Sequence, residues 1–517
     1  MARVIMRVNL HFFRLIFAPA GRFTPSFKMI NFVPQILMVK QLLRCIAGLL
    51  LISGAAEPAQ AQNDIDPTQP LTLQQCIQYA QAHNIQVKQS DLNLQLQDAA
   101  LMQSKASVLP SLNANASHSY NFGRTIDPFT NQFATNKVVS DNFSISGNLT
   151  LFSGFQNFNT ILQNNYNYLS AKYDLEKMKN DIALSVATNY LQILFNMELM
   201  KIAQAQVDIT KQQVDRTQKM VDAGSLPKAN LYEIQSQLAS EELTLVNAQN
   251  QYDLSLLNLQ QLLELQTPVT IVKPDIGAPT GNLLGSDPSQ IFNTAVTNLP
   301  EIKSSEYKLL SAQKGVKIAY GGIYPHLTLS GSYGTGYSGA SKELDGLPVI
   351  TGYDTTGLTT GGDYVLIPTY DYHYKVKSFS DQVHDNLNKS IGLFLTVPLF
   401  NRLNNKTSIT RSKISVMNAE LSLQLAKNQL QKSIQQAYAD ASAAYKKYNA
   451  SQKAVDAISE SFKYMEQRYN VNLISTVEFN DAKNKLLKAQ SDLLQAKYDY
   501  IFKVKILDFY QGKPLTL

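Results

Sequence analysis

The sequence predicts a mainly α protein with a membrane β part, in which each chain carries four strands and long antiparallel coiled-coil helices arranged as two internal structural repeats. Three observations predict it. The chain repeats itself, four short segments alternate between apolar and small polar residues, and two very long stretches contain neither Pro nor Gly.

The duplication is legible residue by residue. Leu73–Lys88 (LQQCIQYAQAHNIQVK) aligns with Pro288–Lys303 (PSQIFNTAVTNLPEIK), pairing Ala80 with Ala295, Val87 with Ile302, Lys88 with Lys303 and, further on, Pro110 with Pro325. Past that point the offset lengthens. Leu151-Phe152 then matches Leu399-Phe400, Leu226 matches Ile474, Ala248 matches Ala496 and Tyr252 matches Tyr500. The change of offset places one insertion between Pro325 and Pro398. The repeats are residues 62–279 and 280–517, each reading helix, strand, loop, strand, long helix, turn, helix.

Strands are expected at about 110–122, 142–152, 325–337 and 390–399. Leu112, Ala114, Ala116, His118, Tyr120 and Phe122 alternate with Asn113, Asn115, Ser117, Ser119 and Asn121. Phe143 to Leu151, Leu327 to Tyr333 and Ile391 to Leu399 follow the same rule. A period of two sends each set to its own face. The polar set is small and uncharged, as a water-filled lumen requires, and the terminal Tyr and Phe suit interfacial girdles. A soluble β-sandwich edge would alternate likewise, but four strands in so long a chain do not make a sandwich.

Asn157–Val221 and Asn404–Asn470 are the two stretches free of Pro and Gly. Each would form a helix of about 100 Å at ~1.5 Å per residue. In the first, Leu175, Met178, Ile182, Val186, Tyr190, Ile193, Met197 and Met200 step by three or four along one seam. Each long helix ends in a turn, around Gly224 and around Asn472, the two residue types that best tolerate a left-handed helix terminus. Shorter helices return through 228–265 and 476–510. Helices over Leu73–Ser107 and Ser289–Tyr320 would stack end to end on them to match the long helices.

The net charge of +6 is local. Arg3, Arg7, Arg14, Arg22, Lys28, Lys40 and Arg44 all lie in residues 1–61, against Glu57 alone, and the remainder is neutral. Such a body offers no basic surface for nucleic acid. Lys40–Arg44, the apolar run Cys45–Ala56 and Ala59-Gln60-Ala61 read as a signal peptide cleaved after Ala61. Residues 1–37 stand outside that pattern and read as an upstream extension. Of the two Cys only Cys76 follows the leader, so no internal disulfide is expected.

Four strands cannot close a membrane barrel, for which about eight is the minimum. Unpaired strand edges in lipid cost several kcal/mol per backbone group, so the chain must assemble with copies of itself. A dimer would give eight strands and a trimer twelve. These features together resemble the outer-membrane factor (TolC-type) family of efflux and secretion ducts. The residues that carry the resemblance are LTLxxxIxxA at Leu71–Ala80, Pro110 and Pro325, LFSGF at Leu151–Phe155, VPLFNR at Val397–Arg402 and QRYNVNLISTVEFNDAKNKLLKAQ at Gln467–Gln490. The resemblance implies a homotrimeric α/β-barrel in the outer membrane, with its helical tunnel in the periplasm. It also implies a periplasmic adaptor (membrane fusion) protein and an inner-membrane pump of the RND or ABC type as partners, and neither catalytic residues nor cofactor. Drug, metal, protein and polysaccharide cargo all remain open. A periplasmic coiled-coil scaffold or adaptor without a pore is the alternative, but such a protein would lack the four strands and the whole-chain duplication.

The resemblance also locates a gate. Glu478 and Asp481, just past the second turn, match the acidic rings that constrict such ducts. Three copies would converge six carboxylates, favouring cations and raising carboxylate pKa values by mutual repulsion. Acids in a first helical turn also simply complement the helix dipole. Tyr469 matches a tyrosine of the closing network, whereas Ile474 and Asn230 replace its basic and acidic members. The turn residues Gly224, Leu226, Pro227, Asn472, Leu473 and Ile474 are expected adaptor contacts, with Leu226, Pro227, Leu473 and Ile474 exposed. Residues 338–388 form a long external loop able to cover the mouth or bind a partner. No HExxH, P-loop or nucleophile elbow is present, and Gly334–Gly339 (GTGYSG) reads as a loop rather than a nucleotide site.

Overall fold

The structure, a computed structural model, describes residues 69–516 apart from 128, 135–136, 275–276, 278–286 and 472. The expected leader, its cleavage position at Ala61 and Asn472 therefore lie outside the described residues.

The first repeat contains α1 (Leu73–His83), α2 (Ile85–Ala106), β1 (Ser111–Asn121), the short β2 (Thr125–Ile126) and β3 (Phe133–Ala134), β4 (Val138–Ser153), α3 (Gln156–Asp222) and α4 (Lys228–Leu262). The second contains α5 (Pro288–Asn298), α6 (Pro300–Gly321), β5 (His326–Ser338), β6 (Lys342–Leu344), β7 (Val349–Leu358), β8 (Tyr364–Asp371), β9 (Tyr374–Val376), α7 (Phe379–Asp385), β10 (Asn388–Thr396), α8 (Asn404–Asn470) and α9 (Thr476–Tyr510). Corresponding helices of the two repeats have equal lengths of 11, 22, 67 and 35 residues.

β1, β4, β5 and β10 form one antiparallel sheet in that order. Its register aligns the alternation across all four strands. Leu112, Gly147, Gly331 and Ile391 form one cross-strand row, and the next row is Asn113, Ser146, Ser332 and Ser390. Hydrogen bonds knit the polar rows, between Ser332 and Ser390 at 2.7 Å and from Ser330 to Asn148 at 2.7 Å. β10 stops at Thr396, short of Pro398, because Pro cannot donate to the ladder and restricts the residue before it. β5 runs through Gly334-Thr-Gly-Tyr-Ser338, so most of the GTGYSG segment is strand, not loop. Gly336 is needed there: a Cβ would meet the Phe129 ring at 2.1 Å.

Two consecutive left-handed residues turn strand into helix in both repeats, Gly154-Phe155 (φ 60° and 63°) and Arg402-Leu403 (φ 54° and 63°). That conformation costs an L-residue about 1–2 kcal/mol, and it recurs where β4 enters α3 and β10 leads into α8. The helices consequently keep the order of the strands. α2, α3, α6 and α8 pack side by side in that sequence nearest the sheet, and α4, α3, α9 and α8 pack in the far half. Two cores from equivalent positions hold these layers. Cys76, Ala80, Val87, Ile182, Val186, Ile193 and Leu259 build the first, and Ile291, Ala295, Ile302, Leu430, Ile434, Ala441 and Leu507 build the second. Burial pushes the Cys76 thiol up to about 12, so it is an inert packing group.

The leading helix of each repeat is broken in two rather than continuous. Asn84 (ψ 134°) and Leu299 (ψ 133°) leave the helix at equivalent places. In the first repeat the Asn84 side chain accepts from the Gln86 N–H at 2.9 Å, capping α2, and donates to the Leu262 carbonyl at 3.1 Å. In the second, Pro300 begins α6 and removes the N–H that a continuous helix would use. Among the described residues no helix is long and apolar enough to cross a membrane. Replacing Asn84 by Ala removes both side-chain bonds and should lower stability by about 1–3 kcal/mol, seen as a lower unfolding midpoint by circular dichroism.

Candidate functional site at the helix turns

The far ends of α3 and α8 carry the turns, and both are built alike. The Ser225 N–H donates to the Met220 carbonyl at 2.8 Å, and the Leu473 N–H donates to the Arg468 carbonyl at 2.9 Å. Gly224 adopts φ 69° with open space around it, the left-handed geometry expected at a helix terminus. Pro227 and Leu473 are exposed. Leu226 and Ile474 are half-buried, which corrects the expectation that they are exposed. For Leu226 the cause is a small groove of about 60 Å³ that it lines with Tyr469 and Phe479. Two apolar residues that the sequence reading passed over, Val471 and Val477, are exposed beside Leu473 and extend the apolar tip.

Glu478 is the third residue of a capping box. Its carboxylate accepts from the Ser475 N–H at 2.9 Å and hydroxyl at 3.0 Å, while the Ser475 hydroxyl accepts from the Glu478 N–H at 3.2 Å. The Ser475 backbone and side-chain hydrogen bonds hold the carboxyl below its ordinary range. Asp481 pairs with Lys485 at 2.6 Å on the exposed face of α9. Within one chain, then, both acids have local partners one helical turn away. Tyr469 stacks on buried Phe479, with ring centres 4.4 Å apart and planes at 19°. Asn230 lies just inside α4, its N–H donating to the Pro227 carbonyl at 3.2 Å.

Side-chain links also join the two repeats at this end. Arg216 near the end of α3 donates to Asn470 at the end of α8 at 2.7 Å. Deeper in, Lys483 of α9 pairs with Glu241 of α4 at 3.2 Å and donates to Thr210 of α3, whose hydroxyl donates to Glu241. Gln237 donates to the same carboxylate at 2.9 Å. Lys483, Glu241 and Thr210 are buried, and Gln237 is half-buried. Burial depresses the Lys483 pKa, and the facing Glu241 carboxylate opposes that shift. Lys483 and Glu241 are far apart in sequence, so no local pattern announces the pair. Among the described residues no group of three potential metal ligands converges.

Truncating Glu241 to Ala should cost about 3–5 kcal/mol because it strands a buried ammonium, whereas Glu241→Leu combined with Lys483→Met should recover most of that loss. Thermal unfolding of the two variants checks this. At the turn, Ser475→Ala should return the Glu478 titration upward toward the ordinary carboxylate range. The wild-type cap is complete above that range and is lost as pH falls through the depressed value, which carboxyl-resolved NMR can follow.

The outer membrane efflux protein family model matches residues 76–264 and 291–512, one segment in each repeat. A comparison with curated protein sequences finds no match. Among solved structures, the chain is similar to the outer membrane protein VceC from Vibrio cholerae (15% identity, TM-score 0.66, covering 86% of this chain and 96% of that one). It is also similar to the Campylobacter jejuni CmeC outer membrane channel (16% identity, TM-score 0.64, 86% and 87%). The open state of the Neisseria gonorrhoeae MtrE outer membrane channel is a further likeness (17% identity, TM-score 0.62, 86% and 89%). At these identities the structural likeness is one of fold. The family model, by contrast, spans most of the sequence. The chain belongs to the outer membrane efflux protein family and is an outer-membrane channel of a tripartite efflux or secretion system.

Proposed function

We propose that three copies of this chain close into a single duct, twelve strands through the outer membrane and twelve helical columns into the periplasm. One observation carries this reading: the sheet and the helical layer end at matching edges. β1 and β10 each have one strand partner in the sheet, and the helices nearest the sheet end at α2 and α8. Those edge helices expose apolar residues, Leu92, Leu96 and Met102 on α2 and Ile414, Met417, Leu421 and Leu425 on α8. Spacing of three or four residues makes the α8 set a stripe, the form of a helix seam awaiting a partner. Twelve helices about 10 Å apart enclose a ring roughly 38 Å across between axes, leaving about 28 Å of bore. Eight leave only about 15 Å.

The turns then form the periplasmic mouth, where the adaptor docks. Pro227, Leu473, Val471 and Val477 give it exposed apolar contact, with Gly224 setting the first turn. Glu478 and Asp481 of three chains form two acidic rings there. Their local partners, Ser475 and Lys485, hold them in place without burying them. The pump supplies energy and selects cargo, and the duct conducts passively.

Cysteines placed at Ala114 on β1 and Ile391 on β10 should be joined between chains by a short bismaleimide, giving covalent trimers from outer-membrane fractions. Recovery of monomer alone would refute closure. In planar bilayers, Glu478→Ala with Asp481→Ala should reduce cation preference. An unchanged reversal potential in that variant would remove the carboxylate rings.

A further inference from the structure

The insertion that distinguishes the second repeat is not an irregular loop. β7 and β8 form a hairpin joined through Thr359–Asp363, and β6 and β9 pair beneath it. Its register sorts the side chains. Residues directly opposite one another share a face. Ile350 with Tyr370, Tyr353 with Pro368, Thr355 with Leu366 and Leu358 with Tyr364 all fall on one side. The other side is mixed, with Val349, Val365 and Ile367 interleaved with Asp354, Thr369 and Asp371. The first face is therefore apolar and aromatic, yet Ile350, Tyr353, Leu358, Tyr364, Leu366 and Tyr370 are between 44% and 70% exposed. A lone two-stranded hairpin is marginal in water, and one with an uncovered aromatic face needs a partner.

The root of the hairpin is fixed. Buried Gln382 of α7 donates to the Ser338 carbonyl at 3.0 Å and accepts from the Ser338 N–H at 2.9 Å. Asn386 donates to the Gly336 carbonyl at 2.7 Å, and Ser338 donates to Asp127 in the first external loop. Phe379 packs edge-on against Phe143 with ring centres 6.3 Å apart. α7 leads directly into β10, the edge strand that meets the neighbouring chain in the proposed closure.

We infer that the apolar faces of three β7–β8 hairpins meet one another over the outer mouth, so that the occupant of each face is a second copy of this chain. This rests on the trimeric reading. Continuity of the insertion with the edge strand places it at that interface. Its reach is sufficient: the 10 residues of β7 extend about 30 Å, while the wall of a twelve-stranded barrel lies roughly 12 Å from its axis. Hairpins leaning inward from three sides must collide, and faces free of charge can share one apolar contact.

The test uses the full chain in outer-membrane preparations. Tyr353→Cys and Leu366→Cys, each treated with a short bismaleimide, should shift most of the protein to covalent dimers, and the double variant should give trimers. Buried Cys76 does not compete. The Ala114→Cys, Ile391→Cys pair runs alongside as a report on closure alone. Replacing residues 347–372 with a short Gly-Ser linker should raise single-channel conductance severalfold. Seam cross-links without hairpin cross-links overturn the inference and leave the trimer standing. Absence of both overturns both. Hairpin cross-links to a protein of another mass also overturn it, and assign the face to a different occupant.

Discussion

An unpaired strand edge cannot face hydrocarbon, and the architecture of this chain answers that constraint. Each backbone group left open there costs several kcal/mol, so β1 and β10 must each find a second partner. The same requirement passes to the helices. The strand-to-helix corners are short, two residues at Gly154-Phe155 and seven from Val397 to Leu403, and the helical layer keeps the order of the sheet. The edges of the two layers coincide. What closes one closes the other, and the apolar stripe along the start of α8 is the helical counterpart of the open ladder on β10.

Much of this was legible because duplication and periodicity are properties of the sequence itself. Equivalent residues form equivalent cores, and the alternation of Leu112 to Phe122 becomes continuous rows across the sheet. The break at Leu299 was signalled by Pro300, whereas Asn84 is a residue that helices tolerate, and only its side-chain bonds show it to be a cap. The insertion hid its hairpin behind a composition of Gly, Tyr and Thr. The Gly361-Gly362 turn between β-branched and aromatic runs was the available signal. The Lys483–Glu241–Thr210 cluster was beyond reach, because each residue sits at an ordinary helical position and only the packing of three helices brings them together.

In the proposed gate, Glu478 would serve structure and passage together. Glu478 caps α9 with its carboxylate ionised, and a depressed pKa is what a charged ring near neutral pH needs. Convergence of three copies would push that pKa the opposite way. The cap supplies a fixed stabilisation of the anion on which such repulsion would act.

Towards the turns, the two repeats of one chain meet through the buried polar cluster of Lys483, Glu241 and Thr210. The positions equivalent to Thr210, Glu241 and Lys483 are Ile458, Ala489 and Gln235. In the proposed trimer these positions fall along the junction of α8 and α9 with the neighbour's α4. The duplicated frame therefore presents a buried ion pair at one junction and aliphatic or amide side chains at the other. Removing one partner of a buried ion pair exacts a large cost because it strands the other charge. Contacts built from Ile, Ala and Gln carry no such penalty. In the proposed trimer, the asymmetry between two otherwise matching repeats puts the buried ion pair inside each chain and aliphatic or amide side chains between chains.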